Sequence, residues 1–281
     1  MAGKPSIKEG DVFHSNEGYK AIVLKYTNIL NVLIEFQDEH KVVKSFTGSH
    51  LRKGNFRNPY HRVLYDFGYV GVGSFKRLDS NGNMTPEYIA WSEMIRRCYS
   101  DIYKSKYPTY KGCMVCEQWA NFQVFSSWYT KQKQYGKGFH LDKDILSVGN
   151  KVYSPNTCCL VPVEINNLLA KNKKTRGVLP IGVSKERLRF RSNICKNKKL
   201  VFLGTFNTPE EAFYAYKEAK EKYIKEVANK YKDQIDSRAY EALMKYEVNI
   251  DDWYKTIKQN PWLNLNSILH CTSWHDMCCG V

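Results

Sequence analysis

The 281-residue sequence has no run of about 18 apolar residues. Its longest apolar stretches, such as Ala21-Ile22-Val23-Leu24, are strand-sized, so a membrane-spanning helix is not expected. Residues 1–10 lack an apolar segment followed by a small-residue cleavage site, and nothing in them directs export. Neither a Gly-rich phosphate loop nor a dinucleotide-binding fingerprint occurs, which sets aside the common nucleotide-cofactor folds. The nine cysteines are odd in number and include the adjacent pairs Cys158-Cys159 and Cys278-Cys279. Without an export signal they read as intracellular thiols, not as a disulfide framework. Acidic residues are also scarce: 28 Asp and Glu face 43 Lys and Arg, giving a formal charge of +15.

What is present is enough to fold. Hydrophobic residues make up 43% and charged residues 25%, and 20 Tyr, 13 Phe and 6 Trp supply large buried surfaces. A positive surplus of this size points to a polyanion, nucleic acid before an anionic membrane. The surplus is local, because residues 171–199 hold 11 Lys and Arg against Glu186 alone.

Along the chain, Asp11–His14, Ala21–Tyr26, Asn31–Phe36 and Lys41–Thr47 are β-rich runs separated by turn residues, which predicts a small antiparallel barrel or meander. An irregular Gly- and Tyr-rich connector follows. Thr85-Pro86-Glu87 opens a helix with Tyr88, Trp91, Met94, Ile95 and Cys98 on its apolar face, and Trp119, Phe122, Phe125, Trp128 and Tyr129 predict a second. Phe139-His140-Leu141 and Lys151-Val152-Tyr153 are strand-like, and a helix runs from Pro162 to Leu169. Ile181–Ser184, Leu188–Ile194 and Leu200–Phe206 predict three strands. Thr208-Pro209-Glu210-Glu211 is a capping box that starts a helix with Phe213, Tyr216, Ala219, Tyr223 and Val227 inward. A short helix over 237–246 precedes a tail without clear periodicity. The predicted class is α+β.

Alternation along Leu188–Ile194 places Leu188, Phe190, Ser192 and Ile194 on one face and Arg187, Arg189, Arg191 and Asn193 on the other. With the first face on the capped helix, guanidiniums and an amide line an open sheet. Arg pairs bidentately with guanine and Asn with adenine, so this row suits double-stranded DNA. Lys196, Lys198 and Lys199 extend the candidate contact set. Gly182-Val183, Leu188-Arg189-Phe190, Leu203-Gly204-Thr205-Phe206-Asn207-Thr208, Glu210-Glu211-Ala212 and Ala215-Tyr216 resemble the Apetala/ethylene-response-factor DNA-binding domain. That resemblance implies a three-stranded sheet packed on one helix and inserted in the major groove. Arg187 stands where that family has an aromatic.

The central region, through Trp91–Tyr99, Tyr107–Lys111, Val115–Trp119, Leu141-Asp142-Lys143-Asp144, Tyr153-Ser154-Pro155 and Glu164-Ile165-Asn166-Asn167, resembles the HNH-type proteins of bacteriophages. The resemblance implies a ββα core with flanking helices around one divalent cation, Mg²⁺ or Mn²⁺. It places the metal-binding Asp at Asp142, the general base at Lys143, the middle Asn near Thr157 and the terminal ligand at Asn166. Lys in place of His removes the ordinary base, since an ammonium is protonated at neutral pH, and it would serve better as a phosphate clamp. His140, two residues before Asp142 on a strand, is the replacement base or ligand, and Asp144 lies on the same face. Cys113-Met114-Val115-Cys116 and Cys158-Cys159 could supply thiolates to zinc, but adjacent cysteines make a poor ligand pair.

The resulting organisation is a β-rich module over 1–60, for which an SH3-like barrel is one form, an HNH-like core over 61–172, an Apetala-type domain over 173–235, and a helical extension with an unassigned tail over 236–281. The expected function is that of a metal-dependent DNA endonuclease or nickase of homing type. The alternative is a non-cleaving regulatory protein that binds DNA or a host factor. Either would work in the cytoplasm of a bacterial host cell, and the oligomeric state stays open.

Overall fold

The structure is a computed structural model and describes residues 6–169 and 179–250. Lys171, Lys173, Lys174 and Arg176 of the basic segment, and the tail with Cys271, Cys278 and Cys279, lie outside the described residues. The chain is mixed α+β and divides into two compact units, residues 1–135 with 149–157, and residues 136–148 with 158–281.

In the first unit, β1 (Val12–His14), β2 (Lys20–Asn28), β3 (Asn31–Phe36) and β4 (Val43–Phe46) form an antiparallel meander in sequence order. Its core follows from alternation: Val32, Ile34 and Phe36 of β3 are fully buried, and Ala21 and Val23 of β2 join them. Leu51 of the short helix α1 (Gly48–Arg52), with Phe56 and Ile7, closes this cluster. The sequence reading had not marked α1, which is only five residues long; its start is fixed by Thr47, whose hydroxyl accepts from the His50 amide.

Helix α2 (Pro86–Tyr99) buries Tyr88, Trp91, Met94, Ile95 and Cys98, the face expected from spacing. The Trp91 indole donates to the Trp119 carbonyl at 2.7 Å. Trp119 itself is not on a long helix. It sits in a 3-10 turn, Glu117–Ala120, and α4 (Phe122–Thr130) starts afresh after Asn121, whose side chain accepts from the Gln123 amide. The cap breaks the continuity that apolar spacing suggested. Between them come α3 (Asp101–Lys106) and β5 (Met114–Val115), which pairs in parallel with β7 (Val152–Tyr153).

The second unit contains β6 (His140–Asp142) and β8 (Cys159–Val161), an antiparallel pair followed by α5 (Val163–Leu169). It continues with β9 (Val183–Glu186), β10 (Arg189–Lys196) and β11 (Lys199–Phe206), a three-stranded antiparallel sheet with β10 central. Helix α6 (Pro209–Lys230) packs on that sheet, and α7 (Ser237–Met244) packs on α6. One core joins Cys159, Val161 and Ile165 to Ile194, Tyr216, Ile224 and Val227 and on to Ala239 and Leu243, so the hairpin, α5, the sheet and α7 share α6. Among the described residues no helix is long and apolar enough to cross a membrane.

Candidate nucleic-acid interface

The sheet is positioned by two devices at its ends. The capping box at the start of α6 is complete: Thr208 accepts from the Glu211 amide, and Glu211 accepts in return from the Thr208 and Asn207 amides. At the entry to β9, Gly182 has φ +80°, and a Cβ there would overlap the Tyr216 ring on α6. Only glycine satisfies both the backbone angle and the close approach of helix to sheet.

On β10, Phe190, Ser192 and Ile194 are buried, while Arg189, Arg191, Asn193 and Cys195 alternate outward. Cross-strand neighbours share a face, so Ser184 and Glu186 of β9 and Thr205 and Phe202 of β11 complete the outer surface. The register shifts between Ser192 and Asn193, where β11 carries one extra residue; Gly204, at φ +147°, accommodates this bulge.

Arg191 is held in place on that surface. Its guanidinium stands 4.6 Å from the centre of the Phe202 ring, its Nε donates to Asn193 Oδ1 at 3.2 Å, and Glu186 lies 3.6 Å away. Arg189 donates to the Thr205 carbonyl at 3.3 Å. These are exposed contacts of small net worth, so phosphate or a base edge can displace them at little cost.

Two expectations about this face change. Arg187 and Leu188 are not in the strand; they form the β9–β10 turn, with Arg187 at φ +54° and Leu188 81% exposed. Strand alternation therefore does not apply to them, and Arg187 projects from the hairpin tip. Lys196 has the parity of the buried row and turns to α6, with Nζ 3.6 Å from Glu226 and 5.1 Å from the centre of the Tyr223 ring. Lys198 lies with Asn197 in the opposite turn, both at positive φ, and Tyr223 pins that turn by exchanging hydrogen bonds with the Asn197 amide and side chain. Lys199 begins β11 and is exposed. The outward Phe202, 53% exposed, and Leu200, 73% exposed, were not singled out from sequence, because the bulge hides which β11 residues face outward.

Strands β6 and β8 pair antiparallel although β7 lies between them in the chain, and α5, which follows β8, packs on β6. His140 and Asp142 share a side of the strand; Asp142 pairs with Cys159 and His140 with Val161, both buried in the core beneath α5 and α6. His140 itself is exposed. Asp142 Oδ1 accepts from the Asp144 and Ile145 amides, each at 2.8 Å. Burial pushes the Asp142 carboxyl above the usual carboxylate range, those two amides pull it down, and the Asp144 carboxylate pushes it up. Burial also pushes the Cys159 thiol up, so it stays protonated.

Lys143 is buried, and its ammonium contacts Asp144 Oδ1 at 2.7 Å. It is not extended as a phosphate clamp. Asn166 lies on α5, next to the buried Ile165. Thr157 belongs to the first unit, where its hydroxyl donates to the Val152 carbonyl at 2.6 Å and closes the turn after β7. Among the described residues no three His, Cys, Asp or Glu side chains gather in a metal-holding group. Asp142, Asp144 and Asn166 each carry a side-chain oxygen, the donor type that Mg²⁺ or Mn²⁺ takes.

His140, Asp142, Lys143, Asp144, Asn166 and the whole outer row of β10 fall in the second unit. No family model, curated protein or solved structure matches the chain.

Proposed function

We propose that the chain binds double-stranded DNA through the outer face of the β9–β11 sheet and that the β6–β8–α5 element cuts or nicks the bound DNA with one divalent cation, in the manner of an HNH endonuclease. The observation that carries the reading is the outward row Arg189, Arg191 and Asn193 on a sheet whose other face is fixed to α6. Side chains on a rigid sheet present a fixed spacing to a groove, and the turns place Arg187 and Lys198 at opposite ends of β10.

In this reading Asp142, Asp144 and Asn166 would hold the cation, which would supply stabilisation of charge on the leaving oxygen. His140, exposed on the strand that carries Asp142, accepts the proton of the attacking water. The Asp144 and Ile145 amides fix the Asp142 carboxylate in one orientation. Lys143 neutralises Asp144 and is a positioning residue.

Binding without cleavage is the second reading, and the Lys143 ammonium in the place of a general base favours it. Supercoiled DNA incubated with the protein and Mg²⁺ or Mn²⁺ separates the two. Nicking by the wild type that disappears in Asp142→Ala and in Asp142→Asn supports cleavage; the Asn variant keeps an acceptor for the two amides. Retarded but uncut DNA on every substrate supports binding alone.

A further inference from the structure

The first unit contains a feature that DNA binding does not use. A cavity of about 690 Å³ is lined by Tyr19, the turn residues Asp38, Glu39 and His40, the connector between Tyr60 and Tyr69, and Glu117. That volume is in the range of small-molecule sites.

The cavity walls are aromatic. His40 stacks on Tyr60 with centroids 3.7 Å apart, Tyr60 leans on Tyr69 at 5.4 Å, and His61 meets Tyr19 edge-on at 5.7 Å. Its charge is opposite to that of the whole chain. Asp38, Glu39, Asp66 and Glu117 face a single guanidinium, Arg62, and Arg62 is engaged by Glu117 at 3.2 Å and by the Asp66 carbonyl at 3.4 Å.

Asp38 adds a second, independent sign. Its Oδ2 accepts from Asn58 Nδ2 at 2.7 Å, but its Oδ1 is shut off from solvent and has no donor among the described residues. A buried carboxylate oxygen without a donor is an acceptor with unmet capacity in the wall. Burial, then Asp38 beside Tyr19 and Glu117 beside Tyr69, push both phenols up, so the rings stay neutral. Such a cavity repels phosphate and attracts a cation whose alkyl part can lie on ring faces.

We propose that this cavity binds a small organic cation, an alkylammonium or guanidinium group held among the Tyr19, Tyr60 and Tyr69 side chains with its charge toward the acidic wall of Asp38, Glu39 and Glu117. The same head group can arrive as a free amine or as a basic side chain of a partner protein.

Calorimetric titration of the full chain, without DNA, tests this with tetramethylammonium, putrescine and acetyl-lysine amide, against neutral 1,4-butanediol and inorganic phosphate. Saturable binding of the cations, with the diol and phosphate inert, is the expected result. Putrescine tighter than acetyl-lysine amide assigns the site to free amines, and the reverse order assigns it to a side chain. Asp38→Asn should weaken binding roughly tenfold. Glu117→Gln, at a side chain 72% exposed, should weaken it by a smaller factor and keeps the test readable if the Asn58 contact is disturbed. Equal binding of the diol, no saturable binding of any cation, or unchanged affinity in both folded variants overturns the proposal.

Discussion

The two antiparallel sheets, β1–β4 and β9–β11, are built by the same rule and end with different outer surfaces. Each buries every second residue, Val32, Ile34 and Phe36 in the first, and Phe190, Ser192 and Ile194 in the second. The segments that carry them differ in charge. Residues 11–60 hold seven Lys and Arg against five Asp and Glu, whereas 171–199 hold 11 against one. Period-two hydrophobicity makes a sheet in both cases, and the two differ in the residues it sends outward.

The comparison breaks most visibly in the cores. Phe36→Ala and Phe190→Ala remove equally buried rings and should each cost about 3–5 kcal/mol of stability by denaturant unfolding. Under conditions where both variants remain folded, DNA affinity should fall for Phe190→Ala alone. Equal loss in Phe36→Ala would place DNA contacts on the first unit too.

A sharper contrast removes the same charge from exposed positions of each sheet. Replacing Arg189 and Arg191 by Gln should weaken DNA binding at least tenfold and reduce the slope of log affinity against log salt by about 2. The matched pair Lys25→Gln and Lys44→Gln, both exposed on the first sheet, should change neither beyond about twofold. Identical salt slopes for the two double variants would show that net charge, not this sheet, carries the affinity.

Asp142 gives a smaller, pH-dependent effect. Its folded pKa lies above the ordinary value near 4, so the stability of the protonated form is present below that value and is lost as pH rises through the folded pKa. Asp142→Asn keeps the amide acceptor without the charge. Its melting temperature relative to wild type should therefore climb as pH rises above about 4; a flat difference would mean that the carboxyl is not penalised by burial.

The smallest expected effect is at Ser192, whose hydroxyl is buried without a partner among the described residues. Ser192→Ala should leave stability unchanged or raise it by up to about 1 kcal/mol. A loss of more than that would reveal a hydrogen bond to the hydroxyl.

Much of the fold was legible because it rests on local chemistry: the alternation of β3 and β10, the capping box of α6, and the i, i+3, i+4 face of α2. Arg187 was misplaced because a non-glycine residue at positive φ leaves no mark in hydrophobic pattern. Lys196 was counted with the exposed cations because its partners, Tyr223 and Glu226, lie 27 and 30 residues further along the chain and become neighbours only when α6 packs. The aromatic cavity was invisible for the same reason: Tyr19, Asp38, Tyr60 and Glu117 are brought together by tertiary structure alone.

The chain enters the second unit at residue 136, leaves it at 148 and returns at 158. A graft of the arginine-bearing sheet beginning at β9 would omit Ile145, Cys159, Val161 and Ile165, which share the α6 core with it. Transplanting that sheet to another protein requires carrying β6, β8 and α5 as well. The sheet and the β6–β8–α5 element share one core, although residues 149–157 of the other unit interrupt them in the chain.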